Sequence, residues 1–222
     1  MSILHFKALH RKSQDYILYF PHEQRVCFLR FALDSSIMKR RILQKGERVM
    51  NKQETYALLR ERGFWMEITE HPAVYNMAEL AEVPLPYPTA DAKNLFVRDD
   101  KKRQYYLITV QGDKRVDLKA FKKRHGTRSL SFASAAELKA LLGLEPGAVT
   151  PLGLLQDQAH RVQFYLDAGF FQEPGIIGVH PNDNTATVWL KTQDLAALLQ
   201  EYGTEVHVTP VEGGKLGEKP LR

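Results

Sequence analysis

Gly175-Ile-Ile-Gly-Val-His-Pro-Asn-Asp-Asn-Thr-Ala-Thr-Val-Trp189 is the stretch that decides the fold. Two β-rich runs flank a polar Pro-Asn-Asp-Asn turn, the pattern of a hairpin. His180 stands immediately before that turn, and Gly178 two residues earlier lets a small substrate come close to the backbone. Far upstream, Asp91-Ala-Lys-Asn-Leu-Phe-Val97 places Lys93 and Asn94 at the mouth of another strand. Together the two segments point to a site for a small acyl group and a phosphate.

Other elements follow from period and punctuation. Asn51 with Glu54 forms a capping-box start for a helix whose apolar face is Tyr56, Leu58 and Leu59 and whose stop is Gly63. Phe64 to Glu70 reads as a strand closed by His71-Pro72. A short helix is expected over Tyr75 to Leu80, and Pro84, Pro86 and Pro88 make an extended loop. Lys93 to Arg98 and Gln104 to Gln111 pair as a hairpin through the turn Asp99 to Lys102. Val116 to Gly126 is a helix capped by Asp117. Ser134 to Gly143 is another, with Ser134 and Glu137 as its capping box. Pro146 to Leu155 is a Gly/Pro-punctuated loop. Arg161 to Leu166 is a strand, Thr192 to Gly203 a capped helix, and Glu205 to Val211 the last strand. Frequent hairpins with helices between them predict an α+β domain, a mixed and mostly antiparallel sheet flanked by short helices.

The chain has 222 residues, enough for one substantial domain with a full core. Hydrophobic content of 44% and charged content of 26% are those of a soluble globular protein. No apolar run approaches the roughly 20 residues of a membrane span, and no secretory signal is evident at the N-terminus. Cys27 is the one cysteine, which excludes an internal disulfide and a CxxC metal site and suits a reducing cytoplasm.

The net charge of +5 is unevenly placed. Residues 1–49 hold ten Lys/Arg against four Asp/Glu, and the remainder is nearly neutral. The apolar fragments Tyr16 to Phe20 and Val26 to Phe31 are broken by basic residues, and no amphipathic period persists. Lys45-Gly-Glu, encodable as a purine-rich codon run shortly before Met50, resembles a bacterial ribosome-binding site. Residues 1–49 are therefore expected to be a basic extension outside the domain, read as translated leader; the competing reading is a basic arm that grips RNA. The domain is expected over residues 50–211, with 212–222 a polar tail.

The chemistry-bearing candidates are few. Lys93 suits a phosphate ligand or a charge at a strand edge. His180 suits a substrate contact or general base, or surface punctuation before a turn. Lys114, Arg115, Lys119, Lys122, Lys123, Arg124 and Arg128 form the dense basic run of the domain. Lys119, Lys122 and Lys123 share a helix face, which fits either a phosphate-backbone patch or a solvated face. Phe121 packs better as core. There is no GxGxxG, no GxxxxGK[ST] and no GxSxG. His71, His125, His160, His180 and His207 lack metal-ligand spacing. Asp99, Asp100 and Asp183 fall in turns, where carboxylates cap.

Residues 50 to about 211 resemble the YbaK/prolyl-tRNA-synthetase-associated editing domains, and among them the freestanding branch that deacylates mischarged Ala-tRNA(Pro). Five blocks in order carry the resemblance: Glu70-His-Pro-Ala-Val74, Ala92-Lys-Asn-Leu-Phe-Val97, Ser129-Leu-Ser-Phe-Ala-Ser134, Leu144-Glu-Pro-Gly-Ala-Val-Thr-Pro-Leu-Gly-Leu-Leu155 and Gly178-Val-His-Pro-Asn-Asp-Asn-Thr-Ala-Thr-Val188. The resemblance implies hydrolysis of the ester joining a wrong amino acid to the tRNA 3′ adenosine. It implies that Lys93 holds the terminal phosphate beside Asn94. It also implies that the Gly178-Val179-His180 backbone cradles the aminoacyl carbonyl and orients water. Positioning and oxyanion stabilisation then suffice without a triad, a metal or a cofactor. Thr150 stands where serine is expected in many relatives, which leaves pocket size and the amino acid open: alanine first, cysteine or serine as alternatives. Contact of Lys119, Lys122, Lys123 and Arg124 with the acceptor stem is an inference outside the family motif. The expected partners are aminoacyl-tRNA and a prolyl-tRNA synthetase, in the cytoplasm. A non-catalytic tRNA- or synthetase-binding module is the reading from a different class.

Overall fold

The structure, a computed structural model, describes residues 7–12, 15–20, 25–30, 50–74, 79, 82–112 and 114–211. The chain divides into two compact units, Met1–Gly46 and Glu47–Arg222. In the first, strands β1 (Lys7–Lys12), β2 (Asp15–Phe20) and β3 (Arg25–Arg30) form an antiparallel sheet in chain order. The apolar fragments beginning at Tyr16 and Val26 fall on β2 and β3. The expected tail over 212–222 and nearly all of the helix expected over Tyr75 to Leu80 lie outside the described residues.

The second unit opens with helix α1 (Lys52–Glu61) and strands β4 (Met66–Glu70), β5 (Ala92–Asp99) and β6 (Tyr105–Gln111). Helix α2 (Leu118–His125), β7 (Leu130–Phe132), α3 (Ala135–Leu142) and the 3-10 helix η1 (Pro151–Gln156) follow. Then come β8 (Val162–Asp167), the 3-10 helix η2 (Ala168–Phe171), β9 (Ile176–Val179), β10 (Ala186–Lys191), α4 (Thr192–Glu201) and β11 (Val206–Thr209). The capping boxes at Asn51/Glu54 and Ser134/Glu137 are both made, and α2 and α3 end on Gly126 and Gly143 at φ +63° and +66°. Helix α4 departs from expectation. No side chain caps it. The Thr192 hydroxyl instead donates to the Phe170 carbonyl at 2.8 Å, satisfying a buried group of η2.

Two sheets result. The smaller has the order β4-β10-β9 and is antiparallel throughout. The larger has the order β11-β8-β6-β5-β7. Its β5–β6 hairpin and β5–β7 pair are antiparallel, whereas β8 runs parallel to both β6 and β11. The parallel pairing is the product of the long crossover through α2, β7 and α3, since parallel neighbours cannot be joined by a tight turn.

Alternation along the strands gives the larger sheet two packed faces. On one, Leu95, Val97, Tyr106, Ile108, Val110 and Tyr165 pack with Phe121 of α2 and with Val211. Burying Phe121 stabilises the seating of α2 by about 1.5–3 kcal/mol. On the other face Phe96, Leu107, Phe164 and Leu166 are buried.

Candidate active site

Among the described residues, a backbone bridge joins the two sheets. Asp91, just before β5, forms a parallel bridge with Gly178 of β9. The Gly178 N–H donates to the Ala90 carbonyl at 2.8 Å. From that bridge both chains run the same way, and two residues further on stand Lys93 and His180. The two residues that the sequence singled out separately thus follow the bridge at the same offset, one on a strand of each sheet.

His180 is not surface punctuation. It is half-buried, and its Nδ1 lies 2.9 Å from the Ala186 carbonyl across the turn. A carbonyl only accepts, so Nδ1 carries the hydrogen and Nε2 is the acceptor nitrogen in the neutral ring. Burial lowers the His180 pKa below its ordinary value; the Ala186 bond opposes this and the nearby His71 adds to it. The ring is therefore neutral at pH 7, ready to accept a hydrogen from water or from a hydroxyl. His71 is the second histidine of the site. It is buried, its ring centroid is 6.0 Å from that of His180, and its Nδ1–H donates to the Pro72 carbonyl at 2.8 Å. Its Nε2 then accepts from the Thr187 hydroxyl at 3.2 Å. The motif Glu70-His-Pro contained His71, but only the pairing of β4 with β10 places it beside His180.

Gly178 has a packing reason to lack a side chain. A Cβ there would lie 2.4 Å from the Trp189 ring, its register partner on β10. Trp189 is fully buried and donates from Nε1 to the Thr69 hydroxyl at 2.9 Å. Tyr87, from the proline-rich loop, packs on the same indole with centroids 5.4 Å apart. Val179 pairs with Val188 and is buried, so the alternation puts its side chain on the opposite face from Trp189.

Neighbours on β5 likewise point to opposite faces. Lys93 is half-buried and its ammonium donates to the Lys114 carbonyl. Asn94 turns the other way: its amide N–H donates to the Val149 carbonyl at 2.9 Å and its Oδ1 accepts from Thr109 at 2.7 Å. Asn94 therefore fixes the segment leading to Thr150. Thr150 is fully buried and its hydroxyl accepts from the Leu152 N–H at 3.4 Å, capping η1.

The turn after His180 is tied to α1. The Asn182 amide donates to the Met50 carbonyl at 3.0 Å, with Asn182 at φ +61°. The Asn184 amide donates to the Val74 carbonyl at 3.0 Å. Asp183 accepts from the backbone and hydroxyl of Thr185. Burial alone would raise its pKa, but these bonds together with Lys52 and His180 hold it below the usual carboxylate value. Lys52 bridges Thr185 at 2.8 Å and Glu70 at 2.6 Å.

Helix α2 exposes Lys119, Lys122, Lys123 and Arg124, while its Phe121 is buried. Lys122 donates to the Ser129 hydroxyl at 3.0 Å and Arg124 to the Pro210 carbonyl at 3.2 Å. The four cations form a charged outer face on a helix held from beneath. Among the described residues, no cluster of three or more His, Cys, Asp or Glu side chains is placed to hold a metal ion. No helix of the described residues is long and apolar enough to cross a membrane.

Comparison with known proteins gives the family. The profile described as the aminoacyl-tRNA editing domain matches residues 71–198, which include Lys93, Gly178 and His180. The prolyl-tRNA editing protein ProX of Acetoanaerobium sticklandii is 37% identical over 152 residues, covering 68% of this chain and 92% of that protein. The prolyl-tRNA synthetase associated domain-containing protein 1 of Xenopus laevis is 35% identical over 156 residues, again covering 68% and 92%. A crystal structure presented as a proposed trans-editing enzyme for prolyl tRNA synthetase superposes with a TM-score of 0.54 at 22% identity, covering 75% of this chain and all of that one, and so shares the fold. On the extent of these matches, the chain belongs to the aminoacyl-tRNA editing domain family.

Proposed function

We propose that the chain is a trans-editing deacylase that hydrolyses the ester of mischarged Ala-tRNA(Pro). The observation that carries this reading is the Asp91–Gly178 bridge, which sets the cation of Lys93 and the neutral imidazole of His180 on adjoining strands. In this reading the Lys93 ammonium holds the phosphate of the 3′ terminal nucleotide. The backbone of Gly178, Val179 and His180 lies along the aminoacyl group. Nε2 of His180 orients the attacking water or the neighbouring ribose hydroxyl. Water oxygen bonds to the carbonyl carbon, the carbon–oxygen bond to the ribose breaks, and the departing ribose oxygen takes up a proton. The products are free amino acid and tRNA. An aminoacyl ester is already activated, so placement and stabilisation of the oxyanion supply the rate without a protein nucleophile.

Selection is steric in this reading. One or two methylenes give only about 10- to 200-fold discrimination by attraction, so a pocket too small for prolyl is the effective device. In this reading Thr150 bounds that pocket; its burial, and the tie of Asn94 to the neighbouring Val149 carbonyl, support a fixed wall there. Lys119, Lys122, Lys123 and Arg124 meet the acceptor-stem phosphates, and a prolyl-tRNA synthetase is the protein whose errors are corrected. The editing unit spans residues 50–211 and works in the cytoplasm.

The test is deacylation of Ala-tRNA(Pro), Cys-tRNA(Pro), Ser-tRNA(Pro) and Pro-tRNA(Pro) by the full chain. Loss of the alanyl ester with the prolyl ester spared is the expected result. Preference for cysteinyl or seryl ester would replace the substrate, and tRNA binding with every ester intact would make the chain a binding module.

A further inference from the structure

Lys93, Val110 and Asp167 form a row across the larger sheet. Lys93 is the register partner of Val110, and the parallel β6–β8 register, which pairs Thr109 with Leu166, sets Val110 next to Asp167. Lys114 lies across this row. Its ammonium pairs with Asp167 Oδ2, and its carbonyl accepts from the Lys93 ammonium. Asp167 is 1% exposed, and its other oxygen accepts from the Gly169 N–H at 3.1 Å. The Lys114 ammonium lies beside Gly169, where a Cβ would come within 3.3 Å of it and 2.9 Å of Gln111 Oε1.

We propose that Asp167 is a positioning residue for Lys93, acting through Lys114. The plain alternative is that Asp167 only caps η2. A cap uses one oxygen, and asparagine serves there as well as aspartate. A buried negative charge carries a large desolvation cost that only a partner offsets, and the partner here is Lys114. Pinning Lys114 fixes its carbonyl, and that carbonyl takes one of the three hydrogens of the Lys93 ammonium. A four-carbon stem with many rotamers is thereby held in one setting before the ligand arrives, so less ordering is left for the binding step.

The inference rests on the reading of Lys93 as a substrate contact, and the experiment separates the two. Wild type, Asp167→Asn, Lys93→Ala and the double variant are compared as full-length chains, with kcat and KM on Ala-tRNA(Pro) and a thermal midpoint for each. Asp167→Asn should lower kcat/KM on the order of tenfold, through misplacement of a binding group. In the Lys93→Ala background the same change should alter it by less than about twofold, because residues acting as one unit are not additive. Unchanged turnover in Asp167→Asn, or an equal loss in both backgrounds, overturns the proposal, as a purely structural aspartate would behave that way. If Asp167→Asn does not fold, Lys114→Met removes the ammonium, keeps the carbonyl and should show the same dependence on Lys93. If wild type cleaves no ester, the deacylase reading fails by itself. Carbon-13 NMR of reductively methylated protein then decides: the Lys93 signal, assigned by its loss in Lys93→Arg, should move toward bulk lysine in Asp167→Asn, and a stationary signal overturns the link.

Discussion

In the turn from Pro181 to Asn184 the polar side chains are directed inward: Asn182 to Met50, Asp183 to Thr185, Asn184 to Val74. Along α2 the charged groups of Lys119, Lys122, Lys123 and Arg124 are directed outward over a buried Phe121. Both regions are dense in polar residues, and composition alone ranks them alike. What separates them is where the hydrogen bonds end. A polar group that satisfies the protein's own backbone builds the site and is felt in stability. A cation left at the surface is felt in association and in its salt dependence.

Lys93 belongs to neither region and gives the largest expected effect. Lys93→Ala should lower kcat/KM on Ala-tRNA(Pro) by roughly ten- to a hundredfold, the value of a charge-assisted hydrogen bond, with the circular dichroism spectrum unchanged. A rate equal to wild type would remove the phosphate role. Next comes Gly178→Ala, which drives a methyl into the Trp189 ring. Overpacking of this kind costs about 1–3 kcal/mol, measurable by urea denaturation. Trp189→Phe should recover part of that loss, and if it recovers none the clash lies elsewhere.

The turn itself is sharpened by two changes at Asn182. Asn182→Ala loses the tie to Met50 and places alanine at positive φ, for about 1–2 kcal/mol in all. Asn182→Gly loses the tie alone and should be milder; equal costs would show that the backbone angle contributes nothing. On α2 the expectation inverts. Lys119→Ala with Lys123→Ala should leave stability within about 0.5 kcal/mol while lowering the salt slope of tRNA binding by about 1 for each cation that meets a phosphate. An unchanged slope would make that face merely solvated.

Acidity gives the smallest effect. Burial lowers the pKa of both His180 and His125 from the ordinary 6.5. The unfolded chain then binds protons first as pH falls, so stability is intact above 6.5 and is lost from there down to the folded values. Denaturation midpoints should decline on the acid side of that value, and His180→Asn should flatten part of the decline. Deacylation should hold to a lower pH than an ordinary histidine allows, because the neutral ring persists.

Local elements were legible because local chemistry makes them. The two capping boxes, the glycine stops and the alternation around Pro181 are contained in a few residues each, and all of them form. The core placement of Phe121 followed from its being the one aromatic in the basic run. The helix from Thr192 lacks the side-chain cap expected of it, and the Thr192 hydroxyl goes instead to a buried carbonyl of Phe170, distant in the chain. Strand β7 has three residues and shows no alternation long enough to read. The parallel setting of β8, the approach of His71 to His180 and the Asp167–Lys114–Lys93 sequence all depend on register between strands far apart in sequence. Motif blocks marked Lys93 and Gly178 as noteworthy, but not that a strand sends Lys93 and Asn94 to opposite faces.

The bridge between Asp91 and Gly178 has a further consequence. Whatever rests against both Lys93 and His180 spans a seam between two sheets, stitched there by a backbone bridge in which the Gly178 N–H donates a hydrogen bond to the Ala90 carbonyl. A bound substrate is then a second stitch, and exchange of the Gly178 amide with solvent becomes a gauge of how tightly the seam is drawn.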